Sequence, residues 1–242
     1  MGGRSRTDLQ IKPCQDETPG VAAHILTRIE AAAPHGVWFC NDFLDLGGHY
    51  AIEKALQRLV KHGHIRRPLR GLYDCPTKDP ATGRWQIPSV LSFVDAIARR
   101  DRLKVLIDGM TAAHALGLTR SRPFSTIVYA NTRPRMVRID ASVGRKGGTG
   151  PQLYRLTFKR FSMRTPFFWA GHPAMLLIQA FHWMHEQGRD LNATVEEFVH
   201  ILKTAADRHS VASDLRLNVA KLEAWTRPFM QQIADALHPP QG

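Results

Sequence analysis

The residues best suited to chemistry lie on one short segment, where two cations and an amide share a helical spacing. Lys54, Gln57 and Arg58 fall three and four positions apart, so an α-helix would place them side by side on one surface. Arginine can pair with guanine and glutamine with adenine, while lysine and arginine also grip phosphate. The pattern predicts hydrogen bonding to nucleic acid.

The elements around these residues have the layout of a winged helix-turn-helix. A brief helix over 42–46 with Asn41 as its N-cap, a break at Gly47-Gly48 and a longer helix over 49–62 are predicted. One face of the longer helix is apolar and should pack inward, through Ile52, Leu56, Leu59 and Val60. The opposite, polar face would then be presented to DNA.

A basic hairpin is predicted after this helix. Gly63 should end the helix as a left-handed cap, and strands over 64–67 and 72–75 flank a turn at 68–71. Helix-turn-helix modules place their second helix in the major groove, and a basic wing beside it can grip the flanking backbone. The predicted DNA-binding residues are Tyr50, Lys54, Gln57, Arg58, Lys61, Arg66, Arg67 and Arg70. A solvated charged face on a protein-binding winged helix is the alternative.

This segment resembles the start of the AbiEi-type antitoxins of bacterial type IV toxin–antitoxin systems. The similarity is carried by DFLDLG at 42–47, by A-x-x-x-A-L-x-R-L-V-x-x-G-x-I-R-R at 51–67 and by R-G-L-Y-D-x-P at 70–76. A second similar stretch is DGMTAAHALGL at 108–118, followed by STIVYAN. The helical C-terminal third is not matched.

The resemblance implies a transcriptional autorepressor that is also an antitoxin and not an enzyme. In that family the N-terminal domain binds promoter repeats and the C-terminal domain opposes a nucleotidyltransferase-like toxin. By this likeness Lys54, Arg58, Arg66, Arg67 and Arg70 contact operator DNA. The implied partners are double-stranded DNA and a cognate toxin or its target, and no cofactor is implied.

Charge is distributed unevenly along the 242 residues. The net charge is +12, and residues 81–165 alone hold 16 basic against 4 acidic side chains. Nucleic acid, an acidic protein partner and solubility each explain such an excess. No apolar stretch is long enough to span a bilayer, no signal-peptide pattern opens the chain, and Cys14, Cys40 and Cys75 do not form a disulfide framework. A cytoplasmic location away from membranes is therefore expected.

The predicted fold class is α+β. A disordered leader over 1–18 precedes a winged helix-turn-helix domain over 19–78, which begins with a helix over 21–33. A linker containing Pro76, Pro80 and Gly83 leads to an antitoxin-like α+β domain over 84–242. From about residue 172 this domain is predicted to be a helical bundle, with helices over 173–186, 194–206, 215–225 and 229–237.

Other patterns are weaker candidates for a site. The loop 144–150 lacks the spacing of a phosphate-binding P-loop, and His182 and His185 lack a third metal ligand nearby in sequence. Phe167-Phe168-Trp169 could stack on bases, but core packing is favoured. Two further functions stay open: a winged-helix regulator whose C-terminal domain senses a ligand or dimerises, and a nucleic-acid-processing enzyme with carboxylates or a metal in a basic cleft.

Overall fold

The computed structural model describes residues 20–143, 153–161 and 167–237, and its fold is α+β. Two predictions, the leader over 1–18 and the glycine-rich loop over 144–150, lie outside the described residues. The N-terminal part runs in the order α1 (Val21–Ala31), β1 (Val37–Trp38), a 3-10 helix (Cys40–Leu46), α2 (His49–Lys61), β2 (Arg66–Leu69) and β3 (Leu72–Asp74).

This N-terminal part has the winged-helix arrangement. The three strands form an antiparallel sheet in the order β1-β3-β2. Both helices pack against one face of it, around Ile25, Phe43, Ile52, Leu56 and Tyr73. The predicted inward face of α2 is confirmed, because Ile52, Leu56 and Leu59 are buried.

The first helical segment begins differently from the prediction. The first segment is a 3-10 helix that starts at Cys40, and Asn41 is not its N-cap. The cap position is Phe39, whose N–H donates to the Asp42 carboxylate at 3.0 Å. A carboxylate three residues downstream can thus take the place of a capping side chain at the N-cap itself.

The predicted linker contains secondary structure. A two-stranded antiparallel hairpin of β4 (Thr77–Lys78) and β5 (Trp85–Gln86) occupies it. Its turn is held by Asp79, which accepts hydrogen bonds from the N–H groups of Ala81 and Thr82. Asx turns of this kind let proline- and glycine-containing segments pair as strands.

A second, four-stranded sheet comes next in the chain. Its elements are α3 (Val90–Asp101), β6 (Val105–Ile107), α4 (Gly109–Ala115), β7 (Thr126–Ala130), β8 (Arg135–Asp140) and β9 (Leu153–Lys159). The strand order is β6-β7-β9-β8, and only the β7–β9 pairing is parallel among the described strands. One hydrophobic cluster joins this sheet and α3 to Val37, Phe39 and Leu72, so the winged helix and the second sheet share a core.

The Asp108-Gly109 pair fixes the start of α4 in the DGMTAAHALGL stretch and allows its close contact with a later helix. Asp108 is the N-cap of α4, and its carboxylate accepts hydrogen bonds from the N–H of Thr111 at 2.9 Å and of Ile127 at 2.8 Å. A Cβ added to Gly109 would lie 2.6 Å from the carbonyl oxygen of Gln179 and 2.5 Å from the Cβ of Trp183. Glycine therefore lets α4 cross closely over the helix that contains these two residues.

The C-terminal part is helical, as predicted. It contains α5 (Met175–Glu186), α6 (Leu191–Leu202), α7 (Arg208–Leu217), a 3-10 turn (Val219–Lys221) and α8 (Arg227–Leu237). The predicted helix over 215–225 is wrong. The helix here is α7, which ends at Asn218, whose N–H and side-chain amide both donate to the carbonyl of Asp214, at 3.1 Å and 3.0 Å.

None of the helices in the described ranges has the length and apolar character needed to cross a membrane.

Candidate nucleic-acid interface

The outer face of α2 carries the predicted DNA-binding side chains. Tyr50, Lys54, Gln57, Arg58 and Lys61 are all exposed. At 3.6 residues per turn these positions fall within about 100° of the helix circumference, opposite the buried face. The structure therefore brings the five α2 residues of the prediction together on one surface.

Two of these side chains contact each other. The Nζ of Lys54 lies 5.4 Å from the centre of the Tyr50 ring, and Tyr50 is 72% exposed. The attraction between a cation and the face of an aromatic ring is favourable even when both groups are exposed to solvent. A large ring held outward beside a lysine is suited to lie against a sugar-phosphate backbone.

The end of α2 is fixed by its cap. Gly63 has φ +78°, its N–H donates to the carbonyl of Val60, and the N–H of His64 donates to that of Leu59. This is the Schellman arrangement predicted from Gly63, which needs a left-handed residue. It turns the chain directly into β2 and so sets the wing beside the helix.

Strand alternation sends Arg66 and Arg67 to opposite faces of the wing sheet. The guanidinium of Arg67 is exposed and lies 6.0 Å from the ring of Tyr73, which packs with α1 and α2. Arg66 is paired in register with Asp74 on the other face, the one that also carries Leu72. Successive strand residues point to opposite sides, so only Arg67 lies on the side of α2.

Arg66 is partly buried, with 23% of its side chain exposed, and its guanidinium is bound by the protein itself. Its guanidinium donates to both oxygens of Asp74, at 2.9 Å and 2.6 Å, and to the carbonyl of Ser142 at 2.6 Å, just beyond β8. Asp74 has no exposed surface. Burial raises the pKa of Asp74, while the hydrogen bonds from Arg66 oppose that increase. The structure thus assigns Arg66 to attaching the wing to the second sheet, in place of the predicted DNA contact.

The wing turn is attached to α3 through its backbone. Arg70 is exposed, and its carbonyl accepts a hydrogen bond from the guanidinium of Arg100. Arg100 also pairs with Asp101, which Arg135 reaches at 2.6 Å. Hydrogen bonds from Arg100 and Arg135 lower the pKa of Asp101. The exposed side chain of Arg70 therefore extends from a turn whose main chain is held by a hydrogen bond.

A parallel attachment holds the start of the first sheet. Arg99 donates to the carbonyl of Val37 at 3.0 Å and pairs with Asp42 and Asp95. Asp42 caps the 3-10 segment that precedes α2. Sequence reasoning did not single out Arg99 or Arg100, because each joins α3 to residues thirty or more positions away in the chain.

Seven side chains of the prediction thus lie on the outer side of the winged helix. We define them as the recognition surface: Tyr50, Lys54, Gln57, Arg58, Lys61, Arg67 and Arg70. One acidic residue of α2, Glu53, is exposed beside them. The surface offers amide and guanidinium groups for base edges, together with further cationic and aromatic groups for phosphate and sugar.

Comparison with known proteins gives a family. The chain belongs to DUF6088, a family of unknown function. The family model matches residues 24–209. No curated protein and no solved structure matches the chain.

The DUF6088 match includes the whole recognition surface and the second sheet. It starts within α1 and ends at the beginning of α7. The residues that fix the orientation of the wing, Arg66, Arg99 and Arg100, also lie within it. The family has no assigned function, so its match adds the extent of the shared region and no activity.

Within the described part of the chain, the weaker candidate sites of this DUF6088 protein show no arrangement suited to binding a metal ion. His182 and His185 lie against the Trp225 ring at 5.2 Å and 4.4 Å, and burial lowers the pKa of His182. Core packing was favoured for the Phe167-Phe168-Trp169 run, and it is confirmed for Trp169 alone, since Phe167 and Phe168 are 44% and 37% exposed. No group of three or more metal-binding side chains occurs within residues 20–143, 153–161 and 167–237.

One polar pair was not predicted. The Nδ1 of His172 lies 2.8 Å from a carboxylate oxygen of Asp214, a residue that is 8% exposed. The other oxygen accepts a hydrogen bond from the N–H of Ala174 at 3.0 Å, next to the start of α5. The His172 ring also packs on Phe168 and Trp169. The pair joins α7 to the start of α5, and no sequence signal connects residues 42 positions apart.

Proposed function

We propose that this DUF6088 protein is a non-enzymatic transcriptional regulator that binds double-stranded DNA and represses its own promoter. The observation that carries the proposal is the exposed polar face of α2, which lies opposite the buried Ile52, Leu56 and Leu59. A helix with this division, preceded by a tight turn and followed by a basic wing, fits the major groove.

The proposed division of labour follows from side-chain chemistry. Gln57 and Arg58 are the candidates for base edges, since amide and guanidinium groups can make paired hydrogen bonds there. Lys54, Lys61, Arg67 and Arg70 would contact phosphates, which position the protein without reading sequence. Each such contact adds to the salt dependence of binding.

We further propose that the protein is the antitoxin of a type IV toxin–antitoxin system in the cytoplasm. The support is the resemblance of residues 42–76 and 108–131 to AbiEi-type antitoxins. Its partner would be a nucleotidyltransferase-like toxin or that toxin's target. The region after the wing, which holds most of the excess positive charge, would be the part that acts against it.

The first test is binding to the gene's own upstream region. The purified protein is titrated against that duplex and a scrambled duplex over a salt series, and a preference of about 10³-fold or more is expected for a specific binder. Arg58→Ala should weaken specific binding by about 1–3 kcal/mol and relax preference at one base pair. Arg133→Ala removes an exposed arginine beyond β7 and should have little effect.

Equal, steeply salt-dependent binding to both duplexes would contradict the repressor proposal. The antitoxin proposal has its own test, co-expression with an adjacent nucleotidyltransferase gene. Rescue of growth by the wild-type protein supports it. Growth arrest that the protein does not relieve overturns it without affecting the DNA-binding result.

A further inference from the structure

A cleft of about 780 Å³ opens at the second sheet, away from the recognition surface. It lies between the first turn of α3, the end of α4 and the segment that leads into β7, and β9 begins at its floor. Its volume is within the range of about 300–1,000 Å³ that ligand pockets occupy. Nothing in the proposed DNA-binding function uses it.

The side chains of the cleft combine positive charge with aromatic rings. Arg122 and Arg155 line it, together with His114, Phe124 and Tyr154, and the described residues of the lining include no carboxylate. The guanidinium of Arg155 lies 4.2 Å from the centre of the Phe124 ring, and that of Arg122 lies 5.6 Å from the ring of Tyr154. Each cation is therefore paired with a ring, and the two pairs line the cleft from opposite sides of β9, because Tyr154 and Arg155 are successive strand residues.

The register of the sheet places a further cation next to Arg155, outside the lining of the cleft. Arg138 on β8 is the direct partner of Arg155 on β9. Residues paired across antiparallel strands share a face, and like charges placed there destabilise the sheet. Asp140, two positions along β8, lies on the same face and offsets part of this repulsion. The arginine fork of Arg155 suits phosphate in particular.

The apolar part of the lining is exposed to solvent. Phe124 is 81% exposed and Leu153 is 44% exposed. A neighbouring hydroxyl is held in place, because Ser125 Oγ donates to the carbonyl of Arg155 at 3.2 Å and lies 3.0 Å from Thr157 Oγ1. A flat ring in the cleft would cover this exposed apolar surface while its polar edge reached fixed hydroxyl groups.

We propose that the cleft binds a nucleotide, a planar heteroaromatic ring that carries phosphate. Arg122 and Arg155 hold the phosphate, and Phe124 with Tyr154 packs against the ring. The cleft is also connected to the recognition surface, since α3 begins at its wall and at its other end holds Val37 and Arg70 through Arg99 and Arg100.

The test is calorimetric titration of the full-length protein at about 150 mM salt, where long-range attraction is screened. The probes are adenosine monophosphate, guanosine monophosphate, adenosine, inorganic phosphate and short oligothymidylate. At least one mononucleotide should bind, and more tightly than adenosine or phosphate. The double variant Arg122→Gln/Arg155→Gln should weaken that binding by about tenfold or more, as the loss of charge-assisted hydrogen bonds requires.

The control is Arg133→Gln, which removes the same charge beyond the opposite end of β7 and should bind as the wild type does. Unchanged circular dichroism and unfolding temperature establish that the double variant is folded, and Phe124→Ala offers a second variant that keeps every charge. Absence of mononucleotide binding, equal binding of inorganic phosphate, equal weakening by Arg133→Gln or tighter binding of oligothymidylate would each overturn the proposal.

Discussion

The two faces of the wing sheet use the same residue type in opposite ways. The outer face of this sheet is the one that carries Tyr73 and the helices, and Arg67 is exposed there beside Tyr73 and α2. On the inner face, Arg66 is saturated by a buried aspartate and by backbone carbonyls at the end of β8. Adjacent residues thus belong to two different structures, a binding surface and an internal joint.

This difference shows that the number of arginines in a basic segment does not predict how many of them are available to bind DNA. A count of arginines in the wing predicts three DNA contacts, whereas the structure leaves two side chains exposed, Arg67 on the strand and Arg70 in the turn. The inner arginine supports the outer ones, because it fixes the sheet on which Arg67 and Arg70 are presented. Positioning and recognition are therefore separable by mutation.

The largest effect is expected from breaking the internal joint. Arg66→Ala leaves the Asp74 carboxylate buried without its partner, which should lower the free energy of unfolding by about 3–5 kcal/mol. Urea denaturation followed by circular dichroism measures the change. Arg67→Ala is the matched control and should change the free energy of unfolding by less than about 0.5 kcal/mol, as surface substitutions do.

The joint can also be replaced. Arg66→Met combined with Asp74→Leu removes both charges and should recover most of the lost stability, because apolar residues of similar size can substitute for a buried ion pair. If Arg66→Ala and Arg67→Ala destabilise the protein equally, the distinction between the two faces fails.

The outer face is tested by the salt dependence of DNA binding. Arg67→Gln combined with Arg70→Gln should reduce the slope of log K against log salt concentration by about two, one unit for each phosphate contact. Fluorescence anisotropy with the upstream duplex measures it. A slope that is unchanged would remove the wing from the interface, and a further decrease on adding Arg66→Met/Asp74→Leu would return Arg66 to it.

The smallest effect is expected at Asp101, which joins α3 to β8 below the wing turn. Its pKa is lowered by the hydrogen bonds from Arg100 and Arg135, so the stability it contributes is present above the unfolded pKa of about 3.9. This contribution is lost as the pH falls through the lower, folded-state pKa. The wild type should therefore have a higher free energy of unfolding than the Asp101→Asn variant at neutral pH, and this difference should shrink below about pH 4. A difference that grows there would contradict the assignment.

Local patterns of the sequence were sufficient for most elements. The alternation of apolar and polar residues identified α2 and its buried face, and Gly63 located the end of that helix. The helical tail was also recognised, but two of its helices are shifted: α7 spans Arg208–Leu217 in place of the predicted 215–225, and Asp190 caps α6, which spans Leu191–Leu202 in place of 194–206. Such capping contacts involve one side chain and are weakly marked in sequence.

The candidate site could be predicted only in part from the sequence. The sequence by itself determined the winged-helix order and the five outward residues of α2, because helical periodicity acts over a few residues and needs no partner. Tertiary structure decided that Arg66 turns inward, that Arg99 and Arg100 hold the module, and that Arg122 and Arg155 meet two rings in one cleft. These contacts join residues far apart in the chain, and their geometry depends on strand register and core packing, which no local pattern specifies.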